Sequence, residues 1–283
     1  MPKPIRQTPT GVIPRKGPRS SVVDRIESGV SFDESDGIKI ILYGRSGSGK
    51  TTVWSSFPGP ILAVVCSGGM KPGELRSIPV EYRKKVHPVT ISSSLEFKEL
   101  IEHQEATNKY KTVVLDHVTG FQDKILAELL DMDELPAQKS WGLANQQTYG
   151  TMSLQAKQMF RQAFSLDCNV VFVGQERENG TEGDSELITP HVGIALTPSL
   201  AGWLYPAADY VCHTFIRPKM VEKVVKIGGK NVTSEVRGKG VEYCLRVGPH
   251  DSYITKFRAP KGSELPDVIV DADYDKIMEI IQG

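Results

Sequence analysis

The chain has 283 residues, enough for one large α/β domain, and its 34 Lys and Arg residues balance its 34 Asp and Glu residues. A net charge of zero excludes a general attraction to polyanions, so any such partner has to be bound by a local surface. The four cysteines show no C-x-x-C spacing, which is typical of free thiols in a reducing compartment. No apolar run approaches the ~18 residues of a membrane span. The sequence therefore predicts a cytoplasmic protein without a membrane partner.

The N-terminal segment, residues 1–25, combines five prolines with six basic residues and one acidic residue. This composition cannot bury a core, and we predict a flexible basic arm. The arm has the charge to contact nucleic acid or an acidic patch on a neighbour, and a solvated tail is an equally good interpretation.

Residues 38–57, IKIILYGRSGSGKTTVWSSF, place an apolar run before a glycine-rich turn and a predicted helix. The turn has the spacing G-x-x-x-x-G-K-T of a phosphate-binding loop, in which backbone N–H groups surround the phosphates. Lys50 is expected to reach the β- and γ-phosphates, Thr51 to bind Mg²⁺ through its hydroxyl, and the helix to direct its N-terminus at the anion. The predicted nucleotide-binding residues are Gly44, Arg45, Ser46, Gly47, Ser48, Gly49, Lys50, Thr51 and Thr52.

Three further apolar runs predict buried strands at residues 61–66, 110–117 and 169–173. Predicted helices separate these runs, and one helix begins with Ser93 and Glu96 in the spacing of a capping box. Strands that alternate with helices predict an α/β protein with a doubly wound, mostly parallel sheet. Such sheets bind ligands at the carboxyl ends of their strands.

Two of these strands are followed by polar residues that would lie at that edge. Asp116 ends the run TVVLD, and in P-loop enzymes a carboxylate at this place holds Mg²⁺ opposite the threonine hydroxyl. We therefore predict a metal site formed by Thr51 and Asp116. Gln175 follows the last run and is predicted to sense the γ-phosphate; an amide that merely caps the strand is the alternative interpretation.

The C-terminal part departs from the α/β pattern. Residues 219–257 alternate β-rich pieces with predicted turns at Gly228-Gly229 and at Gly238 to Gly240. Basic residues outnumber acidic ones there, which favours a surface that contacts a phosphate backbone; a solvated hairpin face is the alternative. We predict an α/β core over residues 26–216 and, over residues 217–283, a β-rich basic extension that packs on the core and ends in a short helix.

The order of these pieces resembles the RecA-like ATPases encoded by tailed bacteriophages, a group that includes single-strand annealing proteins. The resemblance runs from about residue 39 to residue 277. It rests on GRSGSGKTT, the Pro-Gly-Pro turn before ILAVV, the Gly68-Gly69 pair, YKTVVLDHVTGF, the Trp141-Gly142 loop, NVVFVGQE, TPSLAGWLYPAADYV and KFRAPKGSELPDVI. It implies a RecA-like P-loop core, ATP with Mg²⁺, self-association into a ring or filament, and work on single-stranded DNA in the host cytoplasm. Single-strand-binding or other phage replication proteins are further implied partners.

The chain departs from this group at one catalytic position. Members tend to carry an acidic residue and a glutamate just ahead of the paired glycines, and the glutamate activates the attacking water. Here Val65 and Ser67 occupy those places. The substitutes in the sequence are Glu176, His117 and Glu74, which leaves open slow hydrolysis or ATP used chiefly as an assembly switch.

A K-x-R pair in YITKFRAPKG, Lys256 and Arg258, resembles the basic fingers that RecA-type assemblies extend into a neighbour's nucleotide site. A solvated edge strand is the alternative. The leading hypothesis is thus an ATP-dependent, RecA-like recombination or annealing protein. A P-loop ATPase switch that binds a protein partner without touching DNA is the second hypothesis. A nucleotide kinase is the third, and the lack of a compact arginine-rich lid disfavours it.

Overall fold

The computed structural model describes residues 37–66, 74–133, 135, 144–178, 191–227, 230–260, 262 and 264–283. Of residues 74–75, 220, 222–227 and 230–236 it describes the backbone alone. The predicted arm over residues 1–25 lies outside these ranges, as do Ser67 and the Gly228-Gly229 turn. Residues 36–283 form one compact unit. None of the described helices has the length and apolar character needed to cross a membrane.

The described elements alternate in the order expected of an α/β protein. The strands are β1 (Lys39–Gly44), β2 (Ile61–Val65), β3 (Val86–Thr90), β4 (Thr112–Asp116), β5 (Asn169–Gly174), β6 (Glu176–Glu178), β7 (Val192–Ile194), β8 (Tyr210–Ile227), β9 (Lys230–Arg246) and β10 (Val268–Val270). The helices are α1 (Lys50–Ser55), α2 (Ser94–Thr107), α3 (Val118–Leu129), α4 (Gln146–Phe164), α5 (Pro198–Ala207) and α6 (Tyr274–Gln282). Short 3₁₀ helices cover Glu74–Ser77 and Val80–Lys85.

Eight strands form the central sheet, in the order β10-β9-β8-β1-β5-β4-β2-β3. The six from β8 to β3 are parallel, and β9 and β10 add antiparallel partners at one edge. Strands β6 and β7 pair in a separate two-stranded sheet. The prediction of a mostly parallel, doubly wound α/β sheet is confirmed.

Side chains of the central strands alternate between two apolar clusters, one on each face of the sheet. On one face, Ile41 packs in a cluster with Phe121 of α3 and Phe160 of α4, and this face also holds residues of α2 and α5. On the other face, Leu42 packs in a cluster with Trp54 of α1, and α6 contributes to the same cluster. Both faces of strands β1, β2, β4 and β5 are therefore buried, which explains why these predicted strands appear as continuous apolar runs.

Helix α2 begins close to where the capping box places it. The Ser93 hydroxyl accepts the backbone N–H of Glu96 at 3.2 Å, which satisfies one of the free donors of the first turn. The Glu96 carboxylate, however, accepts the N–H of Ser92 at 2.7 Å. The capping box is thus confirmed on the serine side, and its return bond goes to the residue before the cap.

Strands β8 and β9 continue beyond the sheet as a two-stranded ribbon. Pairing between them runs from His213 opposite Arg246 to Ile227 opposite Lys230, whereas β8 pairs with β1 only from Tyr210 to Thr214. We call residues 215–227 and 230–243 the ribbon. Because β8 is parallel to β1, the ribbon extends past the carboxyl edge of the sheet, and 13 residues of strand span roughly 40 Å.

The predicted turn at Gly238 to Gly240 is wrong. These residues lie within β9, opposite a register shift between Pro218 and Met220 that marks a β-bulge. Gly240 has φ +100°, a conformation that a bulge requires and that glycine adopts without strain. A glycine in a strand pattern signals a bulge as readily as a turn, so the sequence could not separate the two. The predicted boundary between residues 216 and 217 also falls inside β8.

Candidate nucleotide-binding site

The carboxyl ends of the central strands bring the predicted site together. Tyr43 at the end of β1 lies beside Gly174 of β5, and Asp116 at the end of β4 lies beside Val173. The phosphate-binding loop follows β1, so it begins at the same edge from which Asp116 and Gln175 emerge. Strand register, and not sequence proximity, assembles the site.

The loop lies tightly against β8. A Cβ atom at Gly44 would come within 2.2 Å of the Thr214 carbonyl oxygen, so only glycine fits there. The Ser48 hydroxyl lies 2.8 Å from the Arg45 carbonyl oxygen and 2.6 Å from the Thr214 hydroxyl. Gly49, with φ +95°, then turns the chain into α1. These contacts hold the loop in its bent form, and the Ser48 hydroxyl contributes one contact within the loop and one to β8.

Lys50 lies at the centre of the loop and is 8% exposed. Its ammonium group donates to the carbonyl oxygens of Gly44 at 2.8 Å and Arg45 at 2.7 Å. Burial lowers the pKa of Lys50, and the negative charges of Asp116 and Glu176 act in the opposite direction. A partly desolvated cation whose bonds among the described residues go to neutral carbonyls is a group that a phosphate would stabilise further.

Asp116, a predicted metal ligand, is bonded by a buried tryptophan. The indole N–H of Trp54, a fully buried residue of α1, lies 3.3 Å from Asp116 Oδ2. Thr51 and Asp116 both line the same cavity. Among the described residues, no three His, Cys, Asp or Glu side chains form a metal cage. One carboxylate plus a hydroxyl fits Mg²⁺, which keeps several waters and takes the rest of its ligands from substrate phosphates.

The cavity has a volume of about 840 Å³. Residues 46–52, Asp116, His117 and Gln175 are among the residues that line it. His117 also caps α3, because its Nδ1 accepts the N–H of Gly120 at 2.9 Å. This bond gives His117 a structural role, the capping of α3, beside the predicted phosphate site. Gly44, Arg45 and Glu176 do not line the cavity but adjoin the residues that do.

Part of the cavity lining was not predicted from the sequence. Two aromatic residues, Tyr82 and Tyr243, line the cavity together with Asp271 and Asp273. Tyr243 belongs to the ribbon, and its ring would be 3.1 Å from a Cβ placed on Gly49. The volume and the mixture of aromatic and polar groups suit a nucleoside attached to phosphates. No local sequence motif predicts that Tyr243 lies at the site, because it is distant from the loop in sequence and only the β8–β9 hairpin brings it close to Gly49.

Glu176, one of the substitutes for the missing glutamate, is held by two cationic or polar groups. Arg45 Nε lies 2.7 Å from its Oε1, and His213 Nε2 lies 2.9 Å from its Oε2. Burial raises the pKa of Glu176, but the hydrogen bonds from His213 and Arg45 outweigh this, and the net pKa lies below its ordinary value of 4.5. Glu176 is therefore ionised at neutral pH. Of the other substitutes, Glu74 has no described side chain.

Lys256 and Arg258 both have partners within the chain. Lys256 Nζ donates to the carbonyl oxygens of Pro206 at 3.0 Å and Ala208 at 2.5 Å, at the end of α5. Arg258 Nη1 lies 3.0 Å from Asp209 Oδ1. The structure therefore keeps these residues apart from the cavity of their own chain, and it gives both of them contacts that stabilise α5 and the start of β8.

Comparison with known proteins gives several structures that are similar to this chain. A structure similar over most of the chain is the flagellar accessory protein FlaH from Methanocaldococcus jannaschii, at 10% identity and TM-score 0.40, covering 90% of this chain and 91% of that one. The RadB recombinase matches at 16% identity and TM-score 0.39, covering 79% and 92%. A KaiC-like protein from Pyrococcus horikoshii OT3 matches at 11% identity and TM-score 0.40, covering 83% and 89%. Identity this low carries no information on function. No curated protein sequence gives a match.

The fold and the site define an α/β P-loop domain: a mostly parallel sheet with the phosphate-binding loop after β1 and a carboxylate at the end of β4. A family model described as "AAA domain" matches residues 36–259. The chain belongs to this AAA domain family. The residues present also fit ATP with Mg²⁺, because the loop, the buried Lys50, the Thr51 hydroxyl and the Asp116 carboxylate line one cavity that is large enough for a nucleotide.

Proposed function

We propose that this protein binds ATP with Mg²⁺ and hydrolyses it while acting on single-stranded DNA in recombination or annealing. The observation that carries the proposal is the convergence of Lys50, Asp116 and Gln175 on one cavity beside a braced phosphate loop. Bound Mg²⁺, with Thr51 and Asp116 as its protein ligands, would supply neutralisation of developing charge on the phosphates. The resemblance to phage RecA-like proteins supports the DNA-related role and a phage origin.

In this proposal Glu176 replaces the glutamate that is absent at Ser67. Its charge acts on Lys50 together with that of Asp116, and the preceding residue, Gln175, lines the cavity. A water oxygen would attack the γ-phosphorus as the bond to the bridging oxygen of ADP breaks, and the water proton would pass to the Glu176 carboxylate. Gln175 would orient that water or sense the γ-phosphate.

The ribbon supports the DNA part of the proposal. It extends from the edge of the sheet that carries the phosphate loop, and Tyr243 at its base contacts that loop. Residues 217–242 carry seven basic and three acidic side chains. The basic residues are Arg217, Lys219, Lys223, Lys226, Lys230, Arg237 and Lys239, and the acidic ones are Glu222, Glu235 and Glu242. An extended basic element that contacts the nucleotide site is suited to couple ATP binding to binding of a phosphate backbone.

A salt titration with a single-stranded oligonucleotide, with and without MgATP, tests this function. Log affinity should fall with log salt by about 0.7 for each phosphate contacted, without preference for sequence. Binding should strengthen when MgATP is present. If no oligonucleotide binds at low salt in the presence of MgATP, the DNA role is wrong.

A P-loop switch that binds a protein partner is the second candidate function. It is favoured by two exposed apolar residues at the base of the ribbon, Ile216 at 43% and Val241 at 55% exposure. Their strand positions place them on one face, because Ile216 pairs with Tyr243 and Val241 with Pro218. In this alternative, ATP alters the ribbon and a protein, not DNA, contacts it. MgATP binding without affinity for single-stranded DNA would select it.

A further inference from the structure

His213 is a buried polar residue of β8 to which the sequence gives no role. It is 2% exposed, and its Nε2 lies 2.9 Å from Oε2 of Glu176. The bond joins the central sheet to the residue that immediately follows Gln175. A buried side chain that bonds a carboxylate so close to the phosphate loop is placed to control how that carboxylate points.

Aromatic neighbours fix the orientation of the His213 ring. The Tyr253 ring stacks on it at 4.0 Å between centroids and 15° between planes, and the Phe215 ring is nearly parallel at 5.7 Å. Tyr43 lies on another side at 5.1 Å. Because the imidazole has little room to rotate, its Nε2 remains directed at Glu176.

The surroundings also fix which form of the imidazole is present. Nδ1 is buried and has no hydrogen-bond partner among the described residues. Burial lowers the pKa of His213, and the positive charge of Arg246 and the neighbouring His250 lower it further, against the opposing effect of Glu176. The neutral ring with its proton on Nε2 satisfies these conditions, so His213 donates and the ionised Glu176 accepts.

Glu176 retains capacity for a reacting water. Arg45 occupies one lone pair of Oε1 and His213 one of Oε2, while a carboxylate has about four such sites. Arg45 is 85% exposed at its side chain and is free to follow the loop, whereas His213 is rigidly packed. His213, and not Arg45, therefore determines the orientation of the Glu176 carboxylate.

We propose that His213 is a positioning residue for ATP hydrolysis: its Nε2–H holds the Glu176 carboxylate in the orientation that receives the proton of the attacking water. This inference rests on the proposed role of Glu176. It assigns to β8, the strand that continues into the ribbon, a direct contact with the hydrolytic residue. A movement of β8 would change the orientation of Glu176.

Two substitutions separate the hydrogen bond from the packing. His213→Phe keeps an aromatic ring for Tyr253 and Phe215 but removes the donor, and His213→Gln restores a donor without the ring. We expect His213→Phe to lower kcat about tenfold, and His213→Gln to recover kcat to within about threefold of the wild type. KM for ATP should stay within about twofold of the wild type in both variants, because the side chain at position 213 does not line the cavity.

A matched control and a double variant complete the experiment. His191→Gln alters another histidine, whose Nε2 lies 3.7 Å from Glu178, two residues from Glu176 in β6, and it should leave kcat unchanged. Adding His213→Phe to Glu176→Gln should have no further effect on kcat, since His213 acts through Glu176. Melting temperatures of all variants, measured with and without MgATP, report whether each one folds and binds nucleotide.

The possible outcomes separate the role of His213 from the proposed hydrolysis by Glu176. No turnover by the wild type, or no loss of kcat in Glu176→Gln, overturns the proposed hydrolysis by Glu176 and this inference with it. A loss in Glu176→Gln with normal kcat in a folded His213→Phe overturns the inference alone. Equal losses in both His213 variants, or a further loss in the double variant, also overturn it by showing a structural role.

Discussion

At the scale of single residues, Lys50 shows how the loop is prepared for phosphate. Its ammonium group bonds two loop carbonyls and little else, although it is nearly buried. We expect Lys50→Ala to abolish MgATP binding while the fold remains. For the wild type, MgATP at ~100 times its dissociation constant should add about 2.7 kcal/mol to the free energy of unfolding.

Thermal unfolding with and without MgATP measures this effect. The melting temperature of the wild type should rise with MgATP, and that of Lys50→Ala should not. Lys98→Ala, which removes an exposed lysine of α2 paired with Glu102, is the control and should respond like the wild type. A wild-type melting temperature that MgATP leaves unchanged would contradict the nucleotide site itself.

A pH dependence of stability follows from His213 and Glu176. The pKa of His213 is below its ordinary 6.5 in the folded protein, so the unfolded chain takes up this proton first and stability falls as the pH drops below 6.5. The pKa of Glu176 is below 4.5, so its contribution is present above 4.5 and is lost as the pH falls further. We expect the melting temperature to decrease in these two successive windows.

The first window tests the histidine. In His213→Phe the decrease in melting temperature below pH 6.5 should be smaller than in the wild type, though not zero, because the pKa of His250 is also lowered by burial and by Arg246. The comparison uses melting curves at intervals across both windows. An identical pH dependence for the two proteins would mean that the pKa of His213 is the same in the folded and the unfolded protein, and it would contradict this prediction.

The residues of the site divide into those that sequence patterns could predict and those that they could not. The loop residues and Asp116 were predictable because a fixed spacing and the end of an apolar strand determine their positions. His213 and Tyr243 were not. Their partners, Glu176 and Gly49, are distant in sequence, and only the parallel register of β8 on β1 and the return of β9 bring them together. The predicted roles of Gln175 and Glu176 remain predictions.

At the scale of elements, the length of the β8–β9 hairpin is the main feature that the sequence did not show. The basic pieces and turns predicted between residues 219 and 257 belong mostly to two long strands, because a bulge replaces the predicted second turn. Helix α1 has only six residues, so the loop amides and Lys50 contribute more to phosphate binding than its small dipole does. Buried strands were easier to predict, since both of their faces are apolar.

Shortening the ribbon tests its role in binding DNA. Val221 pairs with Val236, so replacing residues 222–235 by Asn-Gly would close the hairpin with a two-residue turn in register. The change removes Lys223, Lys226 and Lys230. If all three contact phosphates, the slope of log affinity against log salt should decrease by about 2, and single-stranded DNA should bind more weakly. MgATP binding should persist because Tyr243 remains.

The matching control removes three lysines elsewhere. Changing Lys98, Lys109 and Lys111 to Gln alters charge on α2 and the segment before β4, away from the ribbon. This variant should keep the wild-type slope. A shortened ribbon with unchanged salt dependence, or an equal decrease in the control, would show that the ribbon does not contact the phosphates.

At the scale of the whole molecule, the α/β architecture was predictable because alternating strands and helices leave few other ways to bury two apolar faces. Assembly was not predictable, because a basic residue near a strand can bond to groups of its own chain as readily as to groups of a neighbouring subunit. Lys256 illustrates this. Its ammonium group binds carbonyl oxygens at the end of α5, an arrangement that stabilises that helix terminus. A role of Lys256 in a neighbouring site would require it to give up these bonds.

Arg258 is the better test of self-association. Its guanidinium is 61% exposed and pairs with Asp209, which is 33% exposed, and such surface pairs contribute about 0 to 1 kcal/mol, so a γ-phosphate of an adjoining subunit could replace the carboxylate. We expect a non-hydrolysable ATP analogue to promote self-association of the wild type, measured by sedimentation. Arg258→Ala should lose this assembly and ~10³ or more in turnover while still binding ATP, because Lys50 and Thr51 are intact. Asp209→Asn, which releases Arg258, should still assemble. If the wild type stays monomeric with and without the analogue, Arg258 has no role in a neighbouring site and its contact is the one with Asp209 in its own chain.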